Sequence, residues 1–237
     1  FLNSDDVQIL RLAGLLHDIG HGPFSHLFEE VIQDKKTSHE DYGKKIILNS
    51  EIGDVLSKTG FDKKIIAQIA FGESKFQYLN EIISGSLSAD MMDYLLRDGY
   101  FTGAEHAKVD HKRITQSLNI HKKKIALERS ALYSFESMMH SRYQMFKAVY
   151  FHKTVRAAEV MLIQALRSSD DEFGFSSFNL DEYVKLTDEF VISSIIFSKS
   201  SKLKRARQLV ENYQNRRLLK CVFERILTSQ TNLKKTR

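Results

Sequence analysis

A single proline, Pro23, and only 11 glycines punctuate 237 residues. These two residue types end helices most reliably, so a chain this poor in both can run from helix to helix with few obligatory breaks. Leu, Ile, Lys, Glu and Ala fill the intervals, and the expectation is a nearly all-α protein, helical well beyond the globular average. Hydrophobic residues make up 42% of the chain, enough for one substantial core, or one core with a small C-terminal lobe, so disorder is not the default.

No apolar run reaches the roughly 18 residues of a membrane span, and the opening FLNSDDVQIL lacks the basic start and apolar core of a signal peptide. A cytoplasmic protein without membrane association is expected. Cys221 is the only cysteine, so an intrachain disulfide and a thiolate cluster are both excluded, and any metal must be held by imidazole and carboxylate. The net charge of +5 comes from 35 basic and 30 acidic residues, mostly interspersed. The excess gathers at Lys122 to Lys124, from Lys199 to Arg207 and on to Arg216, Arg217 and Lys220, and at Lys234 to Arg237. Solvated helix faces and a frayed tail are the plain reading; a phosphate or weak nucleic-acid surface is the other.

Apolar spacing predicts a helix from Asp5 to Asp18 that ends in the polar pair His17 and Asp18. Gly20, Gly22 and Pro23 stop it, and Pro23 is placed to open the next helix, Phe24 to Gln33, folding His21 and His26 back towards His17. Thr37 to Glu40 reads as a capped helix start leading into Tyr42, Ile46, Ile47 and Leu48. Further helices are expected at about 62 to 72, 75 to 84 and 86 to 98, and a β-hairpin over 117 to 128. Ala131 to Arg167 contains neither Gly nor Pro and predicts one long helix. Gly174 to Ser177 is a loop, with two or three helices from Leu180 to Ser229. A soft boundary falls near 170 to 180, separating a core of 1–170 from an extension of 171–237.

Chemistry concentrates in His17-Asp18-Ile-Gly-His21-Gly-Pro-Phe-Ser-His26, three imidazoles and a carboxylate at one helix end. Adjacent side chains diverge by about 100° on a helix, so His17 and Asp18 need a further metal ligand from elsewhere. Asp90 is the best candidate, on a helix face shared with Tyr94 and Asp98, while Asp93 and Arg97 form a plain i,i+4 ion pair. Arg142, in an otherwise apolar helix, asks for an anion.

The strings HDIGHGPFSH, TSHE, DMMDYLLRD, HSRYQMFKAVYFHK, DEYVKLTDE and KLKRARQLVENYQNRRLLK together resemble the HD-domain dNTP triphosphohydrolases. The branch is the one holding the mammalian SAM- and HD-domain dNTPase and its bacterial and archaeal relatives. The resemblance implies an HD-domain helical bundle with a C-terminal helical lobe. It implies metal ligation by His17, Asp18 and Asp90, with a fourth ligand histidine upstream of Phe1, so that an N-terminal segment is expected to be missing here. The metal would be Fe, Mn, Ni, Co or Zn, with Mg accompanying the substrate phosphates. It implies catalytic roles for His21, Glu29 and His39, phosphate contacts at His26 and Arg142, and a sugar pocket of Tyr94, Asp98 and Tyr150. Glu29 replaces the aspartate of near family members, Met91 replaces a phosphate-contacting lysine, and Phe146 and Phe151 replace polar residues. Expected partners are a nucleoside triphosphate and further copies of the chain, as a dimer or tetramer. The alternatives are a hydrolase of another nucleotide or phosphoester, which the changes at Met91 and Phe146 favour, and a nucleic-acid-binding module with a vestigial site.

Overall fold

The computed structural model describes residues 4–32 and 37–222, and these are helical almost throughout, as the shortage of proline and glycine predicts. Helix α1 (Ser4–Leu16) turns Ala13 and Leu16 inward. Helix α2 (His26–Ile32) begins two residues later than expected, because Phe24 and Ser25 take left-handed φ values of 56° and 54° and Pro23 therefore cannot head it. Gln33 lies outside the described residues. Helix α3 (His39–Asn49) opens at Ser38 with a capping box in which Ser38 and Asp41 satisfy each other's backbone amides. Helix α4 (Glu51–Lys58), started by the Ser50 hydroxyl, has no counterpart in the sequence expectation.

Helices α5 (Lys63–Ala70), α6 (Gln77–Ser84) and α7 (Ala89–Thr102) answer the three expected between 62 and 98. Helix α8 (His111–Gln116) precedes the antiparallel hairpin of β1 (Leu118–His121) and β2 (Lys124–Leu127), with Leu118 opposite Leu127. The hairpin closes through Lys122 and Lys123, both at positive φ, as the twist of a two-residue turn requires.

The long helix expected from Ala131 to Arg167 is broken. Helix α9 (Leu132–Met145) widens into a π-turn, Phe146–Tyr150, and α10 (Lys153–Phe173) restarts with His152 as N-cap. The break is tertiary in origin: the Tyr150 hydroxyl donates to Asp98 at 2.6 Å, and the Phe146 ring packs 5.1 Å from Tyr150 and 5.6 Å from Phe151. Gly174 ends α10 in the left-handed region, where a loop was expected, and Phe175–Ser177 form a 3-10 turn. Helices α11 (Leu180–Tyr183), α12 (Asp188–Phe197) and α13 (Lys204–Gln214) follow. Ser229 and the basic tail lie outside the described residues. No described helix is long and apolar enough to cross a membrane.

Three apolar clusters hold these helices. Ala13, Ile47, Ile66 and Leu79 join α1 to α3, α5 and α6; Leu95, Ile114, Met138 and Met145 join α7 to α8 and α9; Phe28, Leu166, Phe175, Val191 and Val210 join α2 to the C-terminal helices. Tyr183 belongs to the last, stacked 3.6 Å from Tyr42, and its hydroxyl donates to the Gly20 carbonyl at 2.8 Å. Tyr183→Phe leaves that buried carbonyl unpaired, so a loss of about 1–2 kcal/mol is expected, read as a lower urea midpoint at unchanged slope.

Candidate active site

The end of α1 fixes the first group of donors. His17 Nδ1 donates to the Gly14 carbonyl at 2.8 Å, which fixes the ring and turns Nε2 towards the carboxylates. Nε2 lies 3.3 Å from Asp18 Oδ1 and 3.6 Å from Asp90 Oδ1, which the first turn of α7 brings across. The second distance is too long for a hydrogen bond, and Nε2 is buried without a partner. Asp90, opposed by burial and helped by Gly14 and Asp18, pushes the imidazole up to about 9, so the position favours positive charge. Donor atoms at these separations are spaced as neighbours around a divalent ion bound at about 2.0–2.2 Å. Imidazole and two carboxylates are therefore a fitting cage for such an ion.

A second group sits beside the first. His21 Nε2 lies 3.5 Å from Asp18, its ring stacks 4.1 Å from His39, and His26 meets it edge-on at 4.8 Å. The neighbouring His21 imidazole holds the Asp18 carboxyl below its usual range, against burial. Behind them the Glu29 carboxylate accepts the His39 amide at 3.0 Å, His26 Nδ1 at 3.0 Å and His39 Nδ1. Burial opposes ionisation of Glu29, but these three bonds outweigh it and hold the carboxyl down to about 2. A carboxyl depressed in the fold stabilises it above its ordinary value of 4.5 and loses that contribution as pH falls towards about 2. Glu29→Gln should therefore lower stability by about 1–2 kcal/mol above pH 4.5, the difference from wild type closing as pH falls towards about 2, measured by urea unfolding at stepped pH.

The two groups meet only because Gly20 lets the chains touch. A Cβ there would stand 2.0 Å from the His39 carbonyl oxygen and 2.3 Å from the Gly43 nitrogen. The result is a cavity of about 540 Å³ lined by His17, Asp18, His21, His26, His39 and Asp90 at one end and by Tyr94, Asp98 and Tyr150 at the other. Burial and the bond to Asp98 push the Tyr150 phenol up, so it remains a neutral donor to that carboxylate.

Of the expected site residues, Glu29 and Arg142 do not line this cavity. Glu29 acts from behind through its histidines. The Arg142 guanidinium lies 5.4 Å from the Phe146 ring, and its Nε is buried without a partner. Met91 is 7% exposed and packs into the core, Phe151 faces outward, and Phe146 forms part of the wall. Ser25, Glu40, Phe71 and Ser84 also line it and carry no signal in the sequence beyond proximity to the motifs. Asp93 and Arg97 pair bidentately on the surface, as expected. In the basic stretch, Arg207 is committed to the carbonyls of Ser198 and Ser200.

Residues 2–98 match the HD domain, and residues 109–234 match the HD associated region. The chain is 34% identical over 209 residues to an uncharacterized protein, YwfO, of Bacillus subtilis, covering 80% of this chain and 47% of that one. It is 30% identical over 242 residues to the deoxynucleoside triphosphate triphosphohydrolase SAMHD1 homolog of Dictyostelium discoideum, covering 96% of this chain and 46% of that one. The crystal structure of a phosphohydrolase from Bacteroides thetaiotaomicron superimposes with a TM-score of 0.77 at 26% identity, covering 93% of this chain and 59% of that one. The chain thus spans about half the length of the curated relatives it matches.

Proposed function

The chain belongs to the HD domain family and carries the HD associated region behind that domain, and from this we propose that it is a metal-dependent phosphohydrolase splitting a deoxynucleoside triphosphate into deoxynucleoside and triphosphate. The observation that carries the reading is His17 Nε2, buried and unpartnered between two carboxylates in a cavity of about 540 Å³. His17, Asp18 and Asp90 would hold a divalent ion, with Fe, Mn, Ni, Co and Zn all suited to this donor set. Bound there, the ion supplies a Lewis acid and a water acidified towards neutral pKa.

The remaining steps belong to side chains. Glu29 pins the Nδ1 of His39, so the opposite ring nitrogen is the one free to pass a proton to the leaving oxygen, a transfer that leaves the ring neutral. His21, stacked on His39 and held by Asp18, shares that task. His26 and Arg142 serve phosphate oxygens, Arg142 after leaving the face of Phe146. Tyr94 and the Asp98–Tyr150 pair bound the sugar end. The similarity to the Dictyostelium triphosphohydrolase homolog supports the substrate.

A second reading has its own observation: no Lys or Arg stands among the described residues lining the cavity, which suits a less charged phosphoester. One experiment decides. Full-length protein is incubated with each dNTP and Mn²⁺ beside an Asp18→Ala control, and the products and bound metal are analysed. Deoxynucleoside with intact triphosphate, lost in the control, establishes the first reading. Bound metal without dNTP turnover moves the assignment to another phosphoester, and absence of metal overturns both.

A further inference from the structure

Between His21 and His26 the backbone takes a path that its own residues do not favour. Phe24 and Ser25 both lie at left-handed φ, where the Cβ of any non-glycine residue crowds the backbone and a bulky aromatic is rare. Such a pair persists only where its surroundings over-determine it. Inside the loop, the Ser25 amide donates to the Gly22 carbonyl at 3.0 Å. Two further anchors come from far away in the chain. The Tyr183 hydroxyl holds the Gly20 carbonyl, and Asp188 Oδ1 accepts the Phe24 amide at 2.8 Å. Loop residues His21, Ser25 and His26 all line the cavity, so what fixes the loop fixes the wall.

We propose that Asp188 is a positioning residue: by accepting the Phe24 amide it holds the left-handed pair that aims His21 and His26 into the cavity. The HD associated region thereby sets the geometry of the HD domain's own site. The carboxylate stands at the first residue of α12, just past the Thr187 cap, beside the open amides of the helix end. Among the described residues the Phe24 amide makes no other hydrogen bond. The catalytic consequence rests on the phosphohydrolase reading above; the hold on the loop does not.

The test compares wild-type full-length protein with Asp188→Ala, Asp188→Asn and Glu189→Ala. Glu189 is the neighbouring acid in the same first turn and controls for charge at the helix end. In Asp188→Ala the Phe24 amide should exchange with solvent at least about tenfold faster, and kcat should fall about tenfold while KM moves far less, because misplacing a proton-handling group slows chemistry more than it weakens binding. Asp188→Asn, whose amide oxygen still accepts, should restore most of both, and Glu189→Ala should match wild type. Unchanged Phe24 exchange in Asp188→Ala, faster exchange with undiminished kcat, or an equal loss in Glu189→Ala would each overturn the proposal. Activity is read on dNTPs and, where wild type turns over none, on a p-nitrophenyl phosphodiester. Failure on dNTPs alone removes the substrate reading and leaves this test standing; failure on both removes the phosphohydrolase reading and the catalytic consequence, and the Phe24 exchange alone then decides the hold on the loop.

Discussion

Asp90→Ala should leave a folded protein that retains little metal and turns over about a thousandfold more slowly, or worse. Asp90 reaches His17 from α7, on the far side of the sequence from the HD pair, and is the group with the largest influence on the His17 imidazole. Removing it leaves, among the described residues, one imidazole and one adjacent carboxylate of the candidate metal group, so the ion should be held far more weakly and its Lewis acidity lost with it. Stability should hardly change, because the side chain is 40% exposed and makes no hydrogen bond that α7 needs. Metal analysis, kcat and a thermal melt read the three quantities together. Asp93→Ala is the control: it breaks an exposed pair with Arg97 that contributes at most about 0.5 kcal/mol, and metal and turnover should stay at wild-type levels. Full activity in Asp90→Ala would remove Asp90 from the site.

Gly20→Ala should be the most damaging single-carbon change in the chain. The new methyl would meet backbone, at 2.0 Å from the His39 oxygen and 2.3 Å from the Gly43 nitrogen, and neither atom belongs to a side chain that can rotate away. Either the α1 turn or the start of α3 must move. Overpacking against backbone costs about 3 kcal/mol or more, which lowers the melting temperature of a chain this size by about 6–12 °C. Activity per folded molecule should fall as well, since His39 and the HD turn separate. A variant with wild-type melting and kcat would show that the close approach is not needed.

Helical character was legible because it rests on local composition, and so was the hairpin, whose alternation and lysine turn lie within twelve consecutive residues. The capped start of α3 was legible for the same reason: Ser38 and Asp41 are three residues apart. The long helix failed as an expectation because its break depends on Asp98, an aspartate on another helix that draws Tyr150 inward. Nothing between Ala131 and Arg167 could announce that partner. Pro23 misled in the same way, since the left-handed pair after it is held by Asp188. For the site, the dense histidine string pointed to chemistry and the resemblance supplied roles, while the geometry brings most of those residues around one cavity. Tyr183 and Asp188 escaped notice as supports because each acts through a backbone group of the HD turn, and a hydrogen bond to a main-chain atom leaves no complementary side chain to find.

The contacts that complete the HD turn join residues 163 and 164 positions apart. Contacts of such span close late in folding, because loop-closure entropy must be met before they can form. During synthesis the histidine-bearing turn leaves the ribosome well before its two outer anchors, Tyr183 and Asp188. The early helices can assemble around their own apolar residues in the interval. Competence for chemistry should then arise only once these anchors have closed, and a nascent chain halted before α11 would be helical and catalytically silent.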